Sequence, residues 1–403
     1  MPGVGYELRY ARPEEFDKIT ELDGAAFGFH YSDEDRDEAR LDVDLDRMLV
    51  AVDGDRIVGA SCELRLDLSL PGGTAASVTG LTWVSVDVTH RRQGILRSLI
   101  EQQVRDARDH AVPALILTAS EGGIYGRYGF GNASDVRKVV VDRRAARLLH
   151  PVAKAGVTRM PTDEARSVLP GIYERWHRQT PGAVARDEQH WQLTLGDRES
   201  HRHGMSGLFH LVHPDGYVSY RIKVDWNDGH PQNNCWLVDY VVVTAEAHAA
   251  LWQTLLGMDL AATIESYRIP VDDPLPWMLV DPRRVRTGEL NDGLWLRPVD
   301  VPALLGQRRY AVEIDIVVGV RDALLGDASY RLQGGPDAAT CSRVASEPDV
   351  ELGVDDLGAL SLGGRRLAPL MWSGRARCAD AALASRLDRA FLADVAPQYG
   401  TPF

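Results

Sequence analysis

Val84-Ser85-Val86-Asp87-Val88-Thr89-His90-Arg91-Arg92-Gln93-Gly94-Ile95-Leu96 is the stretch whose reading decides the fold. Val84, Val86 and Val88 alternate, as in a strand with one buried face. Past Gly94 the period changes, and Leu96, Leu99, Ile100 and Val104 fall on one face at helical spacing. The stretch is a strand, a basic loop and a helix start. A helix start aims free N–H groups and the positive end of its dipole at one point. A pyrophosphate binds well at such a point. Gly94 has no Cβ to hold a ligand off the backbone. Arg91 and Arg92 can add charge-assisted hydrogen bonds to phosphate oxygens. Arg-Arg-x-Gly alone also describes a basic turn before an amphipathic helix; the strand before it and the long apolar stripe after it favour the phosphate reading.

Working outward, residues 6–10 read as a short strand. Pro13, Glu14 and Glu15 start a helix that reaches about Phe27, with acids near its positive end. Residues 33–46 carry eight acids, a solvated face or part of a wall that attracts amines. Strands follow at 48–52 and 56–68, joined by the hairpin signal Asp53-Gly54. Residues 115–118 are a short buried strand. The glycine-rich Gly122-Gly123-Ile124-Tyr125-Gly126-Arg127-Tyr128-Gly129 follows, and residues 139–141 close the first unit. Mixed strand and helix order of this kind implies an α/β or α+β layer structure.

A second unit opens after Pro151. It holds a helix at 168–177, a hairpin around Pro214-Asp215-Gly216, a strand at 237–243, a helix at 246–256, a short segment from Ala261 and a strand at 278–280. The order echoes the first unit, yet no Arg-Arg-x-Gly precedes the helix at Glu246. A third unit begins near Leu296-Arg297-Pro298, with a strand at 310–318, further strands near Tyr330 and Val350, a helix at 381–392 and an extended tail to Phe403.

Composition bounds the possibilities. The 403 residues are too many for one ordinary core, so two or three domains are expected. A net charge of −13 argues against nucleic acid as the main partner. There is no apolar run of about 18 residues, so no membrane span is expected. The segment Met1-Pro2-Gly3-Val4-Gly5-Tyr6-Glu7 lacks the basic and apolar parts of a secretory signal. Cys62, Cys235, Cys341 and Cys378 are far apart, which fits neither a zinc knuckle nor a disulfide framework; the cytoplasm is the default compartment. His201, His203, His210 and His213 cluster without a metal-ligand spacing, so no metal is expected.

With these pieces placed, the chain resembles the Eis (enhanced intracellular survival) family of GNAT N-acetyltransferases. Three features carry the resemblance: Val84-x-Val86 with Thr89-His90-Arg91-Arg92-x-Gly94, the run Ser120-Glu121-Gly122-Gly123-Ile124-Tyr125-Gly126-Arg127, and a three-unit plan ending on Phe403. It implies tandem GNAT folds, the second degenerate, followed by a sterol-carrier-protein-like C-terminal domain, with seams at 1–150, 151–297 and 298–403. It implies acetyl-CoA as donor, amines of aminoglycosides or polyamines as small-molecule acceptors, and a homohexamer. By the same resemblance, Val84 and Val86 meet the pantetheine arm through their backbone, and Arg91, Arg92, Gly94, Ile95 and Leu96 lie along the pyrophosphate. Tyr125 is then the general acid, and the α-carboxylate of Phe403 the general base. Ser120 is placed near the thioester and Trp83 beside the acceptor. Departures are Leu96, where the loop often carries a second small residue, and the lack of an acid within 27–32 or at Pro402. These bear on affinity for polycationic drugs more than on acetyl transfer. Two other readings are a protein lysine acetyltransferase and a non-catalytic protein that binds CoA and an apolar ligand.

Overall fold

A computed structural model describes residues 5–152 and 156–403; Met1 to Val4, used in the signal-peptide argument, lie outside the described residues. Two compact units emerge. One takes the residues up to Ser134, Leu294–Asp394 and Pro402–Phe403; the other takes Asp135–Gly293 and Val395–Thr401.

The first unit is built on a seven-stranded sheet. Its strands are β1 (Glu7–Tyr10), β2 (Met48–Asp53), β3 (Arg56–Leu70), β4 (Thr74–Val86), β5 (Ala114–Thr118), β6 (Gly131–Asn132) and the segment Leu294–Pro298, in the order β1-β2-β3-β4-β5-(Leu294–Pro298)-β6. The helices are α1 (Phe16–Phe27), α2 (Asp33–Asp42) and α3 (Ile95–Asp109). Gly28, left-handed at φ +83, ends α1, and Ser32 caps α2 by accepting from the Asp35 N–H. The acidic stretch is therefore largely a solvated helix, with only Ala39 buried. On α3, Leu99, Ile100 and Val104 are buried as their spacing predicts, Leu96 is only half-buried, and Ile95 and Gln103 join the buried face.

The C-terminal part of this unit is a five-stranded sheet with helices on it, around Val318, Leu332, Leu357, Leu387 and Phe391. The strand expected at 310–318 runs from Ile314 to Arg321. The helix Val354–Leu360 seats itself on the first sheet. A methyl on Gly131 would lie 1.8 Å from the Asp355 carbonyl oxygen, and one on Gly358 would lie 2.1 Å from that of Leu296. Arg297, 0% exposed, bridges the parts: it donates to the Tyr128 carbonyl and twice to the Asp322 carboxylate.

The second unit has its own seven-stranded sheet, in the order Val285–Asp292, Asp135–Asp142, Ala261–Ile269, Asn233–Val242, Gly216–Lys223, Phe209–His213, Thr158–Met160. Asn233–Val242 and Ala261–Ile269 run parallel around the helix Ala245–Leu256, as β4 and β5 do around α3. The strand read at 139–141 exists, but as Asp135–Asp142 it pairs in this second sheet, while Leu294–Pro298 completes the first. By pairing, the seams lie near 134 and 294; the sequence reading sets them at 150 and 297. The strand expected at 278–280 is not one. Leu275–Met278 is a helical turn opened by Pro274 and by Asp273 accepting from the Leu275 N–H, and only a single bridge joins Leu148 to Leu279. Among the described residues, no helix is long and apolar enough to cross a membrane.

Candidate active site

The sheet of the first unit opens beside β4. β4 and β5 pair only at Thr79–Leu115 and Gly80–Ile116, and beyond that they part, β4 staying with β3 and β5 with Leu294–Pro298. Against β3, Cys62 faces Thr82 but Ala60 faces Ser85, so Trp83 and Val84 share the place opposite Ser61. That extra residue is a bulge, which bends the strand and raises its twist. Trp83 takes φ +55 there, a conformation that costs a bulky residue roughly 1–3 kcal/mol. From Leu81 to Val86, β4 has no strand partner on its β5 side among the described residues. The result is a wedge whose near wall is the backbone of Val84 and Val86.

The loop after β4 turns to the mouth of this wedge. Asp87 is occupied locally: it accepts from the Thr89 N–H and hydroxyl and pairs with Arg56, and the Thr89 contacts hold its carboxyl below the usual range. Arg91 and Arg92 are exposed, with no ion-pair partner among the described residues. Arg92 and Gly94 are both left-handed, at φ +63 and +89. Gly94 is the N-cap of α3, no side chain caps that helix, and its first turn holds no acid. The orphan N–H groups thus follow directly on a loop with two exposed arginines, a backbone and charge pattern that suits an anion. Ile95 is buried and Leu96 half-buried, so those two serve that pattern through backbone.

Beyond β5, Ser120 is exposed at the turn and Tyr125 opens the 3-10 turn Tyr125–Tyr128. Tyr125 is 5% exposed and packs edge-on to Phe130 at 5.9 Å, in one cluster with Leu81 of β4 and Ile100 of α3. Burial pushes its phenol up to about 12, with Tyr128 and Glu121 adding smaller contributions.

Phe403 approaches from the opposite face. A methyl on Gly80 would lie 3.0 and 3.1 Å from its ring carbons Cε2 and Cδ2. Side chains alternate along a strand, so Gly80 and Leu81 point to opposite sides of β4. The Phe403 ring covers one side and the Tyr125 cluster the other, at the point where β4 and β5 part.

The residues before it are not frayed. Within the second unit, Thr401 is 2% exposed, its hydroxyl shares a 2.7 Å hydrogen bond with the Tyr173 hydroxyl, and it accepts from Arg186 Nε at 2.9 Å. The Gly400 carbonyl accepts from Arg186 and Arg268, each at 3.0 Å. Arg186 is paired with Asp239, which also accepts from the Tyr217 hydroxyl. Gly400 takes φ +70, and a methyl there would strike Trp176 at 2.6 Å.

Sequence reasoning missed Gly80 and this arginine-centred clamp. Local signals for them are weak, because each owes its role to a partner far along the chain. The histidine cluster disperses: His210 is buried and bonded to Ser219 and Thr162. No group of three metal-ligating side chains forms among the described residues.

Comparison with known proteins identifies the domains. Residues 7–133 and 182–298 each match an acetyltransferase (GNAT) domain, and residues 301–400 match a sterol carrier protein domain. The N-acetyltransferase Eis of Mycobacterium tuberculosis is 37% identical over 87% of both chains. An N-acetyltransferase of Streptomyces avermitilis is 33% identical over 97% of this chain and 98% of its own length. The crystal structure of Eis1 from Mycobacterium abscessus superposes with a TM-score of 0.87 at 30% identity, over 99% of this chain and 100% of that one. A GCN5-related N-acetyltransferase from Anabaena variabilis, 16% identical, shares the fold with a TM-score of 0.85 over 99% of this chain and 100% of its own. With tandem GNAT domains, a sterol-carrier-like domain and this likeness along nearly its whole length, the chain belongs to the Eis family of GNAT N-acetyltransferases.

Proposed function

We propose that this N-acetyltransferase moves the acetyl group of acetyl-CoA directly to amines of small polycationic acceptors, polyamines and aminoglycosides among them. The observation that carries the reading is the wedge between β4 and β5 with the uncapped start of α3 at its mouth. Its charge and backbone geometry fit a diphosphate, and its length of unpaired strand fits the arm behind it. Acetyl-CoA supplies the activated acetyl group as a thioester. In this reading Arg91, Arg92 and the N–H groups at Gly94, Ile95 and Leu96 hold the diphosphate, and Val84 and Val86 align the arm as an added strand would. A backbone N–H near Val84 meets the developing oxyanion. Ser120 borders the thioester and Trp83 the acceptor.

Tyr125 gives the departing thiolate its proton. A phenol at about 12 is a weak acid for a free thiol near ~8.5. Burial acts on thiols too: the same effect pushes Cys62 and Cys235 up to about 12 in this chain. Desolvation inside the wedge acts on a leaving thiol in the same direction, which narrows its gap to the phenol. The Phe403 carboxylate, at a reference near ~3.5, is a weak base in water. The Phe403 ring beside Gly80 brings the chain end to the wedge, and in this reading its carboxylate takes the proton from the amine through partial desolvation or a bridging water.

The binding-protein alternative would place its apolar ligand in the core of the C-terminal sheet. The apolar space between Ile316, Val318, Leu352, Leu360 and Phe391 is about 20 Å³, enough for about one water and far short of a sterol. We further propose a cytoplasmic homohexamer that needs no metal and no nucleic-acid or membrane partner, a reading that rests on the family; light scattering tests its mass. Acceptor-dependent release of free thiol from acetyl-CoA, run with a panel of amines and with a lysine peptide, tests the function. Release with small polyamines supports it, release with the peptide alone favours protein acetylation, and no release with any acceptor overturns it.

A further inference from the structure

The second unit repeats the parted strands of the first. Asn233–Val242 pairs with Ala261–Ile269 only as far as Leu237 and Ser266. Ser219 faces Asp239 while Tyr220 faces Leu237, so Val238 is an extra residue, a bulge near the parting point as in β4. The reading above gives the first wedge to acetyl-CoA. Against the second lies the chain's own end. Gln398 Nε2 donates to the Arg268 carbonyl at 2.7 Å, on one parted strand. On the other, Asp239 holds Arg186, which donates to the Gly400 carbonyl and the Thr401 hydroxyl.

Residues 395–401 are held as a bound peptide is held. The Gln398 N–H donates to the Pro181 carbonyl at 2.9 Å, and the Tyr399 carbonyl accepts from the Val184 N–H at 3.1 Å. The Ala396 N–H donates to Asp272 Oδ2 at 2.7 Å. Pro397, Gln398, Gly400 and Thr401 are buried, with Gly400 and Thr401 against Trp176 and Tyr173 of the helix Thr162–Gln179. The charges also leave room for this ligand. Arg186 and Arg268 both bear on Asp239, so two guanidinium groups share one carboxylate. The Gly400 carbonyl takes a hydrogen bond from each and supplies the acceptor that the surplus charge needs.

We propose that the second unit uses its cleft as a peptide site whose ligand is Val395–Thr401, and that Arg186 and Arg268 position, through that peptide, the Phe403 carboxylate two residues further on. The inference rests on the acetyl-transfer reading for what Phe403 does, while the bound tail is tested without turnover. In hydrogen exchange on the full chain, the Ala396 and Gln398 amides should exchange at least about 100-fold slower than in the free peptide Val395–Phe403. Arg268→Met should speed them about tenfold. Thiol release then gives a double-mutant cycle of Arg268→Met with deletion of Phe403. In the full chain Arg268→Met should lower kcat about tenfold and leave KM for acetyl-CoA within about twofold. Arg268→Lys keeps a charged donor and should recover part of the loss. Once Phe403 is deleted, Arg268→Met should cost less than about twofold more, because the tail then carries nothing to place. Gln398→Ala, which removes the bond to the Arg268 carbonyl, serves the same cycle if Arg268→Met fails to fold. Tail amides as fast as those of the free peptide would overturn the peptide site. An equal loss of kcat with and without Phe403 would overturn the positioning role. Protected amides without thiol release from any acceptor would overturn acetyl transfer and leave the peptide site standing.

Discussion

Tyr125→Phe removes one oxygen and leaves the ring where it packs. The edge contact with Phe130 and the neighbours Leu81 and Ile100 remain, so stability should change by no more than about 1 kcal/mol. The chemistry should change more. Without the phenol the leaving thiolate takes its proton from water, whose pKa is ~15.7, against about 12 for Tyr125. The gap is ~3.7 units; with about half of it felt in the transition state, kcat falls by ~1.8 log units, roughly 60-fold, or ~2.5 kcal/mol. KM for acetyl-CoA should hold, because the phosphate cradle is untouched. Initial rates of thiol release across pH 6–9 and a thermal melt measure both. The raised phenol also fixes a sign. It stays protonated throughout that range and contributes no falling limb; its contribution to stability is full below ~10 and disappears as pH rises toward about 12. Unchanged kcat in a folded variant refutes the role, as does a loss of rate that merely follows a loss of Tm.

Three further outcomes test other parts. Deleting Phe403 should cut kcat at least as much as Tyr125→Phe, while Gly80→Ala, whose methyl would lie 2.5 Å from the buried Leu66 side chain and 3.0 Å from the Phe403 ring, should cost stability as well as rate; rates and melts separate the two. Arg91→Ala and Arg92→Ala should each raise KM for acetyl-CoA about tenfold and leave kcat within about twofold, and the double variant should flatten the salt dependence of KM. Glu15→Gln should cost about 1–2 kcal/mol near pH 7. Arg9 donates to both Glu15 oxygens, at 2.6 and 2.8 Å, and this holds the carboxyl down at about 2. That stability is present above ~4.5 and lost as pH falls toward about 2, so melts of the variant and the unmodified protein should converge in acid.

The basic loop was legible because its signals are local. Strand alternation, Arg91-Arg92, Gly94 and the stripe on α3 all lie within a few turns of chain, and the structure gives Gly94 the left-handed cap that the motif asks for. The bulge at Trp83 was not, because it exists only through the register of β4 against β3. Leu294–Pro298 reads as a strand wherever it is put; that it pairs with β5 depends on a partner far earlier in the chain. Gly80 looks like a weak point in a strand until Leu66 from the next strand and Phe403 from the far end of the chain fill the space over it. The run Met278-Leu279-Val280 shows the converse error: three apolar residues carry no period, and prolines with an Asp cap decided the matter.

The two parallel strand–helix–strand crossovers show how one frame keeps or loses a site. In both, a helix begins beside the parallel pair, and its first N–H groups need partners. In the second unit Asn233–Val242 passes almost directly into the helix, and the Thr244 hydroxyl accepts from the Ala247 N–H, with Glu246 in the first turn. A side chain and an acid thus satisfy the helix start, and an anion brought there would meet negative charge. In the first unit Asp87 to Gly94 intervene, the cap is a glycine without a side chain, the first turn holds no acid, and two arginines precede the cap. On the proposed acetyl-CoA reading, that start is left open for the diphosphate to complete. The cost of leaving it so is of order 1 kcal/mol for a missing cap, which a single charge-assisted hydrogen bond to a bound phosphate would offset.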